Sequence, residues 1–299
     1  EFFGFLGANG AGKTTTIKTL VTLLSPTAGD ITVNGFDVRE ESRAVRSTVG
    51  YMAQETAIDE DLSARENIRF ACEAYGVPRD DRDERIEELL DLVDLADVAD
   101  KRSEGFSGGM KKRLDAATAL VHRPPLVFLD EPTTGLDPKA RNRLWEYFRR
   151  INEAGTTVFL TTQYLEEADQ LCDRISVLLD GEIVATGSPS ELKRRVGGER
   201  LDIDLGDEAD PAAAVEVARE FFGEAATVEQ AADGIGVTAA DARERGTDLL
   251  VALRDAGVPV TGFNVRAPTL DDVFLAITDG DVGDTAAPDS PTPAVEAER

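Results

Sequence analysis

The chain is poor in the side chains from which most metal and redox sites are built. Its 299 residues include one histidine, two cysteines, one tryptophan and two methionines. Cys72 and Cys172 lie 100 residues apart, which matches no zinc or dithiol spacing, so both are read as core packing. His122 sits just before Pro124-Pro125 without a second histidine to share a metal and is read as structural. Long apolar runs are missing too. The longest, around 127–129 and 158–160, have the length of buried strands and fall far short of the ~18 residues of a membrane helix. The reading is a chain with neither a membrane span nor a secretory leader, so any membrane role falls to a partner.

Positive charge is equally scarce. Lys and Arg total 32 against 58 Asp and Glu, a formal net charge of -26, and only seven of the 32 are lysine. Nucleic-acid binding draws most of its affinity from neutralised phosphates and needs a basic stripe. None is present, which argues against DNA and RNA as partners. The acidic residues are spread along the whole chain rather than massed in one tail. That distribution fits a solubility adaptation and predicts a salt-loving source, where molar salt screens the self-repulsion.

What is present begins at the first residues. Residues 1–6 read as a strand, one that buries both faces and therefore needs neighbours on each side. That start, with Glu at position 1, gives the expectation that sequence is missing N-terminally. The strand runs into Gly7, Ala8, Asn9, Gly10, Ala11, Gly12, Lys13, Thr14 and Thr15, which fit G-x-x-x-x-G-K-[ST]. The glycines let backbone N–H groups converge on phosphate oxygens with no Cβ in the way. Lys13 is the candidate for the β- and γ-phosphates, and the Thr14 hydroxyl for Mg²⁺. Ile17, Leu20, Val21 and Leu24 follow at helical spacing, so a helix N-terminus points at the anion. Further on, Leu126–Leu129 end in Asp130 and Glu131. This places two carboxylates at the C-terminal edge of a strand, where parallel α/β sheets hold their ligands. Asp130 is the candidate Mg²⁺ carboxylate, acting through water, and Glu131 the residue that polarises the attacking water.

A third motif separates this chain from other phosphate-loop nucleotidases. In FSGGMKKR, residues 106–113, Ser107 can cap a helix while Gly108 and Gly109 leave its first N–H groups bare, a second anion site. It precedes Asp130 by 23 residues, and TTGLD with Asp137 follows. Together these motifs resemble an ABC-family ATPase, with 106–110 as the signature motif and 134–137 as the D-loop. The resemblance runs over residues 1 to about 198. In SGGMKKRLDAATAL, TTQYLEEADQLCDRI and GSPSELKRRVGGERL it is similar to the daunorubicin-resistance type of drug-exporter ATPase.

That resemblance implies a helical insertion at about 63–120 and a homodimer that sandwiches two MgATP. Ser107, Gly108, Gly109 and Asp137 of one copy would complete the site over the other's γ-phosphate. Gln54, in the Q-loop position, would touch the Mg²⁺ and γ-phosphate region and sense an integral membrane permease. It further implies ATP hydrolysis at the cytoplasmic face of the cell membrane, with export of a hydrophobic drug or lipid-like compound and import as runner-up. Two departures stand out. The family's adenine-stacking aromatic, some two dozen residues ahead of the phosphate loop, has no counterpart. The family's switch histidine is Gln163, which can donate to a γ-phosphate oxygen but cannot carry imidazolium charge, predicting a slow ATPase. A soluble ABC ATPase acting on DNA or ribosomes is the alternative; it fits poorly with a single cassette lacking heptads or a basic surface. A phosphate-loop kinase or GTPase would have no use for the signature motif.

Beyond 198 the expected order is strand 201–205, helix 211–222, strands 225–230 and 234–239, helix 242–256 and strand 258–266. That β-α-β-β-α-β order predicts a small ferredoxin-like accessory domain at 199–278, with a short helix at 270–277, serving dimer contact, regulation or packing. Residues 279–299, rich in Asp, Pro, Ala and Thr, are expected to be disordered.

Overall fold

The computed structural model describes residues 1–278 except 196–197, 207–208, 224–225, 232–233 and 240; the expected disordered tail lies outside the described residues. The chain forms two compact units, Glu1–Pro189 and Ser190–Arg299. The division falls nine residues ahead of the boundary expected at 198, because most of the helix that Pro189 opens belongs to the second unit.

The first unit is built on a six-stranded sheet in the order β4-β5-β6-β1-β7-β8. These strands are β1 (Phe2–Gly7), β4 (Val49–Met52), β5 (Leu126–Asp130), β6 (Thr157–Thr162), β7 (Arg174–Leu179) and β8 (Glu182–Gly187). All neighbours pair in parallel except β7 and β8. β1 lies between β6 and β7, so the neighbours its apolar residues demand are supplied from within the chain. β7 and β8 form the hairpin that Asp180-Gly181 signals, both residues having positive φ, 50° and 87°, as a two-residue turn of matching twist requires.

Helix α1 (Lys13–Leu20) follows β1 and packs Ile17 into a cluster with Val21, Val45, Val49 and Phe128. The apolar face expected to reach Leu24 stops short. Thr22 turns into the left-handed region at φ 64° and the Leu23 and Leu24 N–H groups close back on the Lys18 carbonyl, a helix stop that leaves Leu24 exposed. A two-stranded ribbon, β2 (Thr32–Val33) with β3 (Phe36–Asp37), and α2 (Ser42–Thr48) lead to β4. The helical insertion comprises α3 (Ala64–Ala74), α4 (Arg79–Leu92) and α5 (Gly108–Thr118). Ser63 and Glu66 form a full capping box on α3. α6 (Pro138–Glu153) and α7 (Leu165–Leu171) flank β6 in sequence, and α8 (Pro189–Arg195) follows β8.

In the second unit β9 (Glu199–Leu205), β10 (Thr227–Ala231), β11 (Gly234–Ala239) and β12 (Val260–Arg266) form an antiparallel sheet in the order β10-β11-β9-β12. Counted from β9 this is 2-3-1-4, the ferredoxin-like order that the sequence predicts. Leu201, Ile203, Val228, Ile235 and Val237 share one sheet face and pack with Ala214, Ala218 and Phe222 of α9 (Pro211–Phe222) and Leu249 and Leu253 of α10 (Ala242–Asp255). α11 (Leu270–Thr278) ends the described chain.

Candidate nucleotide site

Four neighbouring strands, β4, β5, β6 and β1, end at one edge of the parallel sheet. Pairing of Met52 with Leu129, Asp130 with Thr161 and Leu6 with Thr162 keeps those ends level. Gln54, Asp130-Glu131, Gln163 and the phosphate loop therefore emerge side by side. That convergence is topological: each strand delivers its chemistry at its C-terminal end.

Gly12, at φ 112° and ψ 2°, ends the loop and caps α1, a backbone shape that β-carbon-bearing residues adopt only with strain. Lys13 is 4% exposed. Its Nζ donates to the carbonyls of Gly7 (2.9 Å) and Ala8 (3.1 Å) and lies 3.0 Å from Glu131 Oε1. The ammonium thus spans the concavity between the loop and β5. Ala8, Asn9, Gly10 and Thr15 line the exposed rim, while Ala11 packs inward with Phe5 and Leu178.

Asp130 is fully buried. Its Oδ1 accepts from Thr14 Oγ1 at 3.2 Å and from Thr161 Oγ1 at 2.6 Å, and Oδ2 has no partner. A buried carboxylate oxygen without a donor is costly, and a hard cation sharing the Thr14 hydroxyl is the group that fits it. Glu131 sits at φ 47°, uncommon for a residue with a side chain. Its N–H donates to the Thr161 carbonyl at 3.1 Å, and its Oε2 accepts from Gln54 Nε2 at 3.2 Å. Gln163, half-buried, follows directly on Thr162 and has no side-chain hydrogen bond among the described residues, which leaves its amide available.

Ser107, Gly108, Gly109 and Asp137 form a separate cluster. Ser107 Oγ accepts from Met110 N at 3.3 Å and Asp137 Oδ1 from Ala140 N at 2.9 Å, so each caps the helix it precedes, α5 and α6. A Cβ on Gly109 would stand 2.9 Å from that of Ala140, so only glycine lets the two helix starts meet this closely. The Gly108 and Gly109 N–H groups have no partner within the helix, leaving a terminus of the kind that binds anions.

Sequence reasoning missed Thr161, Lys112, Asp115 and Glu167. Two hydroxyls at the end of β6 were the available cue for Thr161. Glu167 is fully buried, accepts from Trp145 Nε1 at 2.9 Å and has its carboxyl pushed up by burial. It sat unmarked in an acidic stretch that reads as solvated surface. His122 is structural, as expected: Nε2 meets the Val49 carbonyl at 3.1 Å, its ring stacks on Tyr75, and burial lowers its pKa. Both cysteines are free and buried.

Sheet order, phosphate loop, paired carboxylates and signature helix together define a phosphate-loop ATPase of the ATP-binding-cassette class. Residues 1–134 match the ABC transporter family, and residues 187–278 match the C-terminal domain of ATP-binding proteins like DrrA1-3. The daunorubicin resistance ATP-binding protein DrrA3 of Streptomyces coeruleorubidus is 43% identical over 278 residues, covering 93% of this chain and 87% of that protein. The solved ATP-binding subunit of an ABC transporter shares 32% identity at a TM-score of 0.59, covering 65% of this chain and 81% of that one. A dimeric ATP-binding cassette in a post-hydrolysis state, with ADP and phosphate, shares 27% at 0.57, covering 63% and 85%. The chain belongs to the ABC transporter ATP-binding proteins of the daunorubicin-resistance type, and it is an ATP-hydrolysing subunit. Among the described residues no helix is long and apolar enough to cross a membrane.

Proposed function

We propose that two copies of this chain close around two MgATP and drive a separate membrane permease from the cytoplasmic face, exporting a hydrophobic drug or lipid-like compound. The observation that carries the reading is the pairing of Asp130 and Glu131 with Lys13 and Thr14 at one sheet edge, alongside a second anion-binding helix start at Ser107. Lys13 binds the β- and γ-phosphates, exchanging its contact with Glu131 for them. Glu131, once released, orients and polarises the attacking water. Thr14 and Asp130, with Gln54 beside them, would hold Mg²⁺, which supplies charge neutralisation on the phosphates when bound. Ser107, Gly108 and Gly109 of one copy cap the γ-phosphate on the other, with Asp137 alongside, adding donors where charge develops. Gln163 donates a neutral hydrogen bond to the same phosphate. Gln54 and the helical insertion carry the motion to the permease.

The test is Glu131→Gln followed by light scattering with and without MgATP. A shift from monomer to dimer only with MgATP supports the shared site. Nucleotide binding with no change of mass removes it. The salt-loving reading rests on the charge of -26 and is tested by unfolding across KCl concentrations. Stability should rise toward molar KCl, and a flat response discards the idea.

A further inference from the structure

The helix that begins with the signature motif also holds the loop that carries Gln54. Lys112 Nζ donates to the Gln54 carbonyl at 2.5 Å, and the Ala57 N–H donates to Asp115 Oδ1 at 3.2 Å. A third tie, Lys111 to Glu60 at 2.5 Å, is partly exposed and of the kind that solvent weakens. Lys112 and Asp115 are different: they are 8% and 3% exposed. Three residues apart, they share one side of α5. They form no ion pair with each other, and each reaches a backbone group of the 54–57 segment instead. Burial opposes both charges, pushing the Asp115 carboxyl up to about 6 and the Lys112 ammonium down. Asp115 Oδ2 has no partner at all. Apolar side chains of similar size generally give a more stable core than buried charges, so filling space does not account for this pair. What it fixes is the position of residues 54–57, and Gln54 Nε2 in turn touches Glu131 at 3.2 Å.

We infer that Lys112 and Asp115 are positioning residues that join the signature helix and the Gln54 loop into one piece, so that seating Ser107 and Gly109 on the partner's nucleotide sets Gln54 against Glu131 in the same chain. The inference rests on the shared-site dimer proposed above. It gives each nucleotide a route to the opposite carboxylate. A nucleotide bound at one site pulls the partner's signature helix, and that helix moves the partner's own Gln54. Turnover then rises cooperatively with MgATP.

The experiment is steady-state turnover of the full chain against MgATP. Dimer mass is measured in parallel for each variant in the Glu131→Gln background. The parent should give a Hill coefficient approaching its ceiling, the number of coupled sites. Lys112→Met and Asp115→Leu should still dimerise, with half-saturating MgATP within about twofold, while the coefficient falls toward one and maximal turnover drops about fivefold or more, the lower end of typical coupling. Lys112→Arg and Asp115→Asn keep a donor and an acceptor and should retain the cooperativity. A simple packing defect would not follow that division. The inference is overturned if the parent shows no cooperativity, or if Lys112→Met dimerises and keeps the parent's coefficient and maximum. Should Asp115→Leu fail to fold, Lys112→Met decides alone. A parent that never dimerises with MgATP removes the shared-site reading itself, and the inference with it.

Discussion

Lys13, Arg85, Lys112, Arg113, Asp115, Asp130, Glu131 and Glu167 are all less than a tenth exposed, and all lie in the first unit. In the second unit no polar or charged side chain among the described residues is buried to that degree; its core is Leu201, Ile203, Val237, Leu249, Leu253 and their apolar neighbours. The contrast separates a unit whose core holds charged groups in fixed directions from one whose described core is hydrocarbon. Buried charge is tolerated where direction matters, because each such group must keep a fixed partner or be strongly penalised. A sheet with helices on one face has no such demand and can be packed with hydrocarbon alone.

The sharpest break of this comparison lies at Glu131. Glu131→Gln should lower ATP turnover by roughly 10²-fold or more, the range for loss of a positioned base, with nucleotide binding retained; a coupled assay beside a binding titration checks it. A matching lesion in the other unit should act on stability instead. Leu249 is fully buried, and Leu249→Ala should cost about 2–5 kcal/mol, read as an earlier unfolding transition with KM for ATP unchanged. A rise in KM would mean that the second unit takes part in binding.

Asp115→Asn tests whether buried charge in the first unit is a liability for stability. The carboxyl sits at about 6 against an ordinary 3.8. Its charged form is therefore disfavoured in the fold, and the penalty is complete above pH 6 and gone below about 4. Asparagine should raise stability at pH 7.5 by at most about 3 kcal/mol, the gain shrinking to nothing as pH falls through that window. Urea unfolding at pH 7.5 and 4 reads it, and an equal gain at both rejects the assignment. The smallest effect is expected at Gln163. With Gln163 donating to the γ-phosphate as proposed, Gln163→His adds charge to that hydrogen bond and should speed turnover severalfold, about tenfold at most. An unchanged rate takes Gln163 out of the phosphate contact.

Much of the architecture was legible because its signals are local. The glycines and Lys13, the apolar run ending in Asp130, the cap at Ser107, and Asp180-Gly181 each declare an element within a few residues. Alternating apolar residues in 201–205 and 234–239 announced the second sheet in the same way. The partners inside the site were not legible. Lys13 with Glu131, Thr161 with Asp130, Lys112 with the Gln54 carbonyl and Trp145 with Glu167 all join distant parts of the chain. Lys112 and Asp115 were the hardest to see. α5 is buried along most of its length, including Arg113, whose Nη1 donates to the Val93 carbonyl at 2.6 Å. Its charges read as a solvated face until the insertion is folded around them. The start of the second unit at Ser190 was hidden for a similar reason: Gly197-Gly198 is the visible break in texture, but contacts set the division earlier.

With Glu131 in the role proposed for it, its left-handed backbone sets activity against robustness. Glycine would relax that bend, and asparagine would tolerate it better than glutamate, just as an uncharged residue at 115 would relieve the core. Propagated under heat challenge with no demand for transport, this chain should drift first at the positions that make it an engine, yielding sturdier and idle descendants. Deep sequencing of such a population would locate the machinery by what disappears.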